Sequence, residues 1–203
     1  MLIDQTVTRF LDALSSADPT PGGGSAAALV GATGASLLIM VAGMPKSRTN
    51  AEDERKALDT AHRDLLGHRA TLIDLIDRDA SAYDLVIAAF RRPKGTEDEK
   101  AARRAAVQDA TRVATEVPLE TIRACVDTMR AGRATAAHGN PNAASDVKVG
   151  YRLLMAAAEG AQDNVEINLS GLTDATVQSQ IRDAATALMT EADTHVREVV
   201  GRT

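Results

Sequence analysis

Between Asp18 and Lys46 the chain carries no charged side chain. The stretch PTPGGGSAAALVGATGASLLIMVAGMP, Pro19 to Pro45, opens on three glycines and a serine and then turns to Ala, Leu, Val, Ile and Met. A phosphate-binding P-loop would need G-x-x-x-x-G-K-[ST] after a strand, and no lysine follows these glycines. The dinucleotide fingerprint G-x-G-x-x-G also fails, because Ala27 stands at its third glycine. About 20 apolar residues can span a bilayer, but Gly31, Thr33, Gly34, Ser36 and Gly43 dilute the hydropathy here. The reading that remains is a buried helix from about Ser25 to Met44, apolar all round because other helices surround it. Its small residues let neighbouring backbones come close. The glycines at its start turn the chain tightly and leave the first backbone N–H groups open for an anion or a polar ligand. A simple tight turn is the competing reading.

Composition supports packed helices. The 203 residues include two Phe, two Tyr and no Trp, while 44% are hydrophobic, so the core must be built from Ala, Val, Leu and Ile. Alanine is the best helix former. The length suits one domain, residues 1–203. A formal charge of −5 argues against nucleic acid as a partner, which wants a clustered positive face. Cys125 is the sole cysteine, so no internal disulfide exists, and a buried thiol is expected. There is no H-E-x-x-H pattern or Cys cluster, so no metal is expected. MLIDQTVTRFLDAL has no basic region before its apolar residues. It reads as an amphipathic helix rather than a signal peptide, which points to the cytoplasm and away from a membrane.

Periodicity and breakers divide the chain into helices. The first is expected over Ile3–Ser16 and the second over Ser25–Met44, with Pro45 ending it and Asn50 capping the next. Ala51–Phe90 reads as one long amphipathic helix or two in line, with Tyr83 and Phe90 on its core face. Thr96 and Glu99 form a capping box for a fourth helix, which Pro118 should kink or restart. Further helices are expected over Ala143–Leu169 and Thr173–Val200. Strand signals are almost absent. The expected fold is all-α, a multi-helix bundle around a buried apolar central helix.

Several segments, in order and at near-family spacing over roughly residues 2 to 200, resemble the formiminotransferase-cyclodeaminase C-terminal family, which includes stand-alone methenyltetrahydrofolate cyclohydrolases. They are PTPGGGSAAALVGATGASLLIMVAG, DRDASAY (Asp77–Tyr83), RPKGTEDEKAAR (Arg92–Arg103), EVPL (Glu116–Leu119), GNPNAASDVKV (Gly139–Val149) and NVEINLSGLTD (Asn164–Asp174). One segment departs from the pattern. Where folate-converting members have L-T-x-G-[KR]-[KR] and then an aromatic residue, this chain has MPKSRTNAED, with Ser47 for the glycine, Arg48 as the remaining base and Ala51 for the aromatic. The resemblance implies a helical homodimer acting on one-carbon tetrahydrofolate derivatives without metal or a tightly bound cofactor. Cyclodeaminase closes the formimino group to a methenyl bridge with loss of ammonia, and cyclohydrolase opens that bridge with water. Both reactions pass through a tetrahedral carbon, so the two activities stay open. The alternatives are a non-catalytic folate-binding or dimeric interaction module, and activity on another heterocyclic amidine.

That chemistry needs a carboxylate beside the amidinium, a proton carrier and fixed dipoles at the tetrahedral centre. Asp146 is the first catalytic candidate on its motif, although a first-turn helix acid is its ordinary reading. Asp79 is on the core face of the long helix, one turn before Tyr83, where an acid is either paired or functional. Lys94 takes a candidate role in substrate carboxylate binding or proton transfer from the resemblance, since a loop lysine is ordinarily solvated. Substrate binding falls to Gly22, Gly23, Gly24 and Ser25, with Asn140, Asn164, Asn168 and Tyr83. Asn164 and Asn168 share a helix face and suit either a pterin edge or helix cross-links. Turn chemistry is the ordinary reading of Asn140, and a place in the core that of Tyr83.

Overall fold

A computed structural model describes residues 1–44 and 51–201 of the chain. The regular elements among the described residues are all helical. A 3-10 turn at Leu2–Asp4 precedes α1 (Val7–Leu14), α2 (Gly23–Gly43), α3 (Glu52–Phe90) and α4 (Glu97–His138). A second 3-10 turn at Pro141–Ala143 leads into α5 (Ala144–Leu169) and α6 (Ala175–Val200). Pro45, Asn50 and the divergent segment with Ser47 and Arg48 lie outside the described residues. Ala51 holds the position before α3 without a side-chain cap.

The bundle is organised by close approaches to α2. Along α3 the neighbours are Gly43 with His62, Gly31 with Leu72 and Gly24 with Asp79; along α5 they are Gly34 with Gly150, Gly31 with Ala157 and Gly23 with Asn164. Both helices therefore run antiparallel to α2. A methyl group at Gly34 would come within 2.7 Å of the Gly150 carbonyl, so two backbones meet where neither residue has a side chain. Helix α4 packs on α3 and α5 and also touches α2, and α6 lies on α4 and α5. The core is small side chains packed around Leu38, Leu65, Leu72, Leu75, Ile76, Ile122, Met129 and Leu154.

Three expectations need correcting. The first helix is broken at Gln5 and Thr6, where Gln5 is extended and the Thr6 hydroxyl accepts the Arg9 N–H and restarts the helix. The surroundings of α2 are incomplete, because Leu29, Val30 and Leu37 are half-buried, and Thr33 and Met40 are exposed on the side facing away from α4. Tyr83 and Phe90 are 38% and 51% exposed. Since Gly24 is level with Asp79, the last turns of α3 run beyond the start of α2 and lose that helix as cover.

Helix α4 continues through Pro118 without restarting. A proline has no N–H to give to the carbonyl four residues back, which here is Ala114. The Asn168 amide of α5 donates to that carbonyl at 2.7 Å. A donor from another helix satisfies the acceptor that proline leaves bare, and α4 continues.

Candidate active site

The start of α2 forms the floor of a cavity of about 270 Å³ lined by Pro19, Thr20, Gly22–Gly24, Asp79, Ala82, Tyr83, Val86, Ala114, Asn164 and Asn168. Four elements meet here. The connection before α2 contributes a cis Thr20–Pro21 bond, and Gly22 sits at the cap position with extended backbone and no side-chain cap. The first N–H groups of a helix have no carbonyl partner within it; that of Ser25 is taken by Asp79, and Gly23 and Gly24 line the cavity.

Asp79 reaches this helix start from α3. Its Oδ2 accepts the Ser25 hydroxyl at 2.9 Å, and the same hydroxyl lies 2.9 Å from the Ile76 carbonyl. Burial pushes the Asp79 carboxyl above the usual aspartate value, against the opposing pull of the Ser25 hydroxyl and backbone N–H. Desolvation favours the neutral acid and hydrogen bonds favour the anion; here desolvation dominates. The carboxylate also occupies the space that a side chain at Gly24 would need. Gly24 is therefore glycine because of close approach. No glycine around the cavity has a positive φ, so the tight-turn reading finds no support in a left-handed backbone.

The residues beside Asp79 do other work. Asp77 accepts the Leu2 N–H at 2.7 Å and fastens the N-terminal turn to α3. Arg78 pairs with Glu120 of α4 at 2.7 Å. Successive helical side chains are turned by about 100°, so DRDASAY serves three directions at once.

Asn164 and Asn168 lie together on α5 at the cavity wall, and each amide nitrogen is committed. Asn164 donates to the Gly160 carbonyl at 2.7 Å, and Asn168 to Ala114. Their carboxamide oxygens are left as acceptors for a ligand. This cross-link role for Asn168 was visible in the sequence only by joining EVPL to NVEIN, two segments about 50 residues apart.

The structure gathers Gly22, Gly23, Gly24, Ser25, Asp79, Tyr83, Asn164 and Asn168 at one place. It does not bring Asp146, Asn140 or Lys94 to the same cavity within the chain. Asp146 lies in the first turn of α5. The α2–α5 register puts it level with the last turn of α2, about 25 Å from the glycines at 1.5 Å per residue. Asn140 accepts the Asn142 N–H at 3.0 Å in the α4–α5 turn and lines a separate cavity of about 380 Å³ with Arg133, Thr135 and Lys148. Lys94 is exposed in the α3–α4 connection. That connection is held by its own bonds: Glu99 accepts from the Gly95 and Thr96 N–H groups, and Arg103 donates to the Phe90 carbonyl. Among the described residues no group of three or more His, Cys, Asp or Glu side chains is placed to hold a metal ion.

The formiminotransferase-cyclodeaminase family model matches residues 6–187. The chain belongs to the formiminotransferase-cyclodeaminase family. Among family relatives, a methenyltetrahydrofolate cyclohydrolase from Methylorubrum extorquens is 36% identical, covering 93% of this chain and 91% of the relative. The rat formimidoyltransferase-cyclodeaminase is 33% identical over 98% of this chain, which spans only 37% of that longer protein. The crystal structure of formiminotetrahydrofolate cyclodeaminase from Thermotoga maritima superposes with a TM-score of 0.83 at 26% identity, covering 98% of this chain and 97% of the other. The glycine run, DRDASAY and NVEINL, which the family resemblance singled out, all contribute residues to the cavity, and EVPL holds Pro118, which leaves the Ala114 carbonyl open to Asn168.

Proposed function

We propose that this family member is a one-carbon folate enzyme that makes or breaks a C–N bond at the one-carbon bridge of tetrahydrofolate, with Asp79 as its proton carrier. The observation that carries the reading is a half-desolvated carboxylate held against the open start of α2, in a cavity with two asparagine acceptors. The similarity over nearly full length to a protein named methenyltetrahydrofolate cyclohydrolase favours ring opening. The Thermotoga maritima neighbour favours the cyclodeaminase reaction, and one site serves both.

In ring opening, the Asp79 carboxylate faces the methenyl amidinium and takes a proton as water adds to the bridging carbon. A neutral carbinolamine forms. On collapse the hydroxyl proton moves to the departing nitrogen as its C–N bond breaks, and Asp79 releases its proton to solvent. In ring closure, the protonated acid gives its proton to the leaving ammonia. A carboxyl with a raised pKa is suited to both halves. The helix N–H groups of Gly23 and Gly24 supply fixed dipoles for the developing hydroxyl or for a pterin carbonyl. The Asn164 and Asn168 oxygens accept from the pterin N–H edge, and Tyr83 borders the ring. Lys94, at the same end of the bundle, meets the substrate's glutamate carboxylates.

The enzyme works in this reading as a single-domain cytoplasmic homodimer without metal, tightly bound cofactor, nucleic acid or membrane. Loss of methenyltetrahydrofolate absorbance, and ammonia release from the formimino compound, test it. Rates no higher than buffer in both assays point instead to a non-catalytic dimeric module.

A further inference from the structure

We infer that the site is completed across the homodimer, with Asp146 of one copy facing the glycine cradle of the other. The inference rests on the folate reading above. One chain leaves the site short in two respects. Its cavity of about 270 Å³ falls just below the usual size of ligand pockets, roughly 300–1,000 Å³. It also contains a single carboxylate, Asp79, which must both face the cation and carry the proton; a second carboxylate would divide the two roles.

The second carboxylate lies on the correct face at the wrong end. Asp146 and Asn164 are both on α5, 18 residues or about five turns apart, so they project to the same side of that helix. Asn164 lines the cradle at the start of α2. Asp146 is at the level where α2 ends.

Between those two ends runs an uncovered apolar strip. On α2 it comprises Leu29, Val30, Thr33, Leu37 and Met40, with Met40 43% exposed. The Thr33 and Ser36 hydroxyls are turned back onto the Leu29 and Ala32 carbonyls of their own helix. The adjoining edge of α5 carries Val149 and Ile167, 42% and 71% exposed. An exposed apolar strip along two neighbouring helices marks an interaction surface. A second copy presents the same strip, and a two-fold axis makes it self-complementary.

Two pairings are possible. A parallel one sets cradle against cradle and Asp146 against Asp146, with helix dipoles aligned. An antiparallel one opposes the dipoles and brings each cradle to an Asp146. The antiparallel arrangement centres on Thr33, the midpoint of α2, and sets Leu29 of one copy opposite Leu37 of the other.

Mixed dimers test this directly. Asp79→Asn and Asp146→Asn chains are co-expressed with different tags, and the heterodimer is purified through both. One of its two sites then holds both substitutions and the other holds neither. We expect each homodimer to lose at least about a hundredfold in rate and the heterodimer to recover about half the wild-type rate. A heterodimer as inactive as its parents overturns the inference, as does an Asp146→Asn homodimer with full activity or a monomeric wild-type protein. A readout independent of folate uses Leu29→Cys and Leu37→Cys. Oxidation should cross-link the mixture of the two chains and neither chain alone, since a disulfide needs Cα atoms within about 7 Å. Self-linking of either single variant would establish the parallel pairing and overturn the proposal. Selective cross-linking without turnover by the wild type would retain the antiparallel pairing and sink the folate reading on which the shared site depends.

Discussion

Asn168 supplies the hydrogen bond that Pro118 removes from α4, donating at 2.7 Å to the carbonyl of Ala114. The first prediction is that the two residues are energetically coupled. Asn168→Ala strips the donor from a part-buried carbonyl and should cost roughly 1–3 kcal/mol. In a Pro118→Ala background the helix regains its own N–H, and the same change should cost about 1 kcal/mol less. Denaturant unfolding of the four proteins in the cycle measures this. Equal costs in both backgrounds would show the amide and the proline to be independent.

Asp79→Asn should lower turnover by about 10²–10⁴ while the protein stays folded. Stability should respond to pH in a defined direction. Burial raises the Asp79 carboxyl in the folded state, so the folded protein binds its proton more tightly than the unfolded chain does. The resulting stability is present below about pH 4, the unfolded value, and is lost as pH rises through the folded value. The asparagine variant lacks this loss. Its stability relative to the wild type should therefore increase as pH climbs from about 4 to neutrality, and a constant difference across that range would refute the assignment.

The neighbouring glycines should separate into two behaviours. A methyl group at Gly23 makes an ordinary 3.6 Å contact with the Asn164 amide nitrogen, so Gly23→Ala should fold normally. It takes space at the cavity floor, however, and substrate affinity should drop at least about tenfold, or about 1.4 kcal/mol. At Gly24 the methyl collides with the Asp79 carboxylate. Gly24→Ala should displace the acid, reduce kcat by about a hundredfold or more and cost about 1–3 kcal/mol in stability. Thermal unfolding and binding titrations on both variants distinguish the two outcomes.

Cys125 should be chemically silent in the native protein. It is fully buried, and burial pushes its thiol up to about 12, so the reactive thiolate is scarce at neutral pH. A thiol reagent at pH 8 should modify it only as fast as the protein opens. Rapid stoichiometric labelling without unfolding would contradict that placement.

The helices were legible in the sequence because their signals are local. The Thr96–Glu99 capping box forms as expected, and the apolar spacing of Leu65, Leu72 and Ile76 places all three in the core. The family motifs also pointed to the residues that meet at the cradle, since Gly22–Gly24, Asp79, Asn164 and Asn168 belong to three of them. What tertiary structure alone decided concerns register and cover. The meeting of Gly34 with Gly150 sets how far α5 slides along α2, and that slide places Asn164 at the cradle and Asp146 about five turns away. The level of Gly24 against Asp79 leaves Tyr83 and Phe90 beyond the reach of α2, although their spacing alone assigns them to the core. The passage of α4 through Pro118 depends on an amide from α5. Periodicity reports which side of a helix is apolar, a property of residues a few positions apart. It carries no information on the axial offset between helices, because that offset is settled by close contacts between segments far apart in the chain, 55 residues (79 − 24) for Gly24 and Asp79 and 116 (150 − 34) for Gly34 and Gly150.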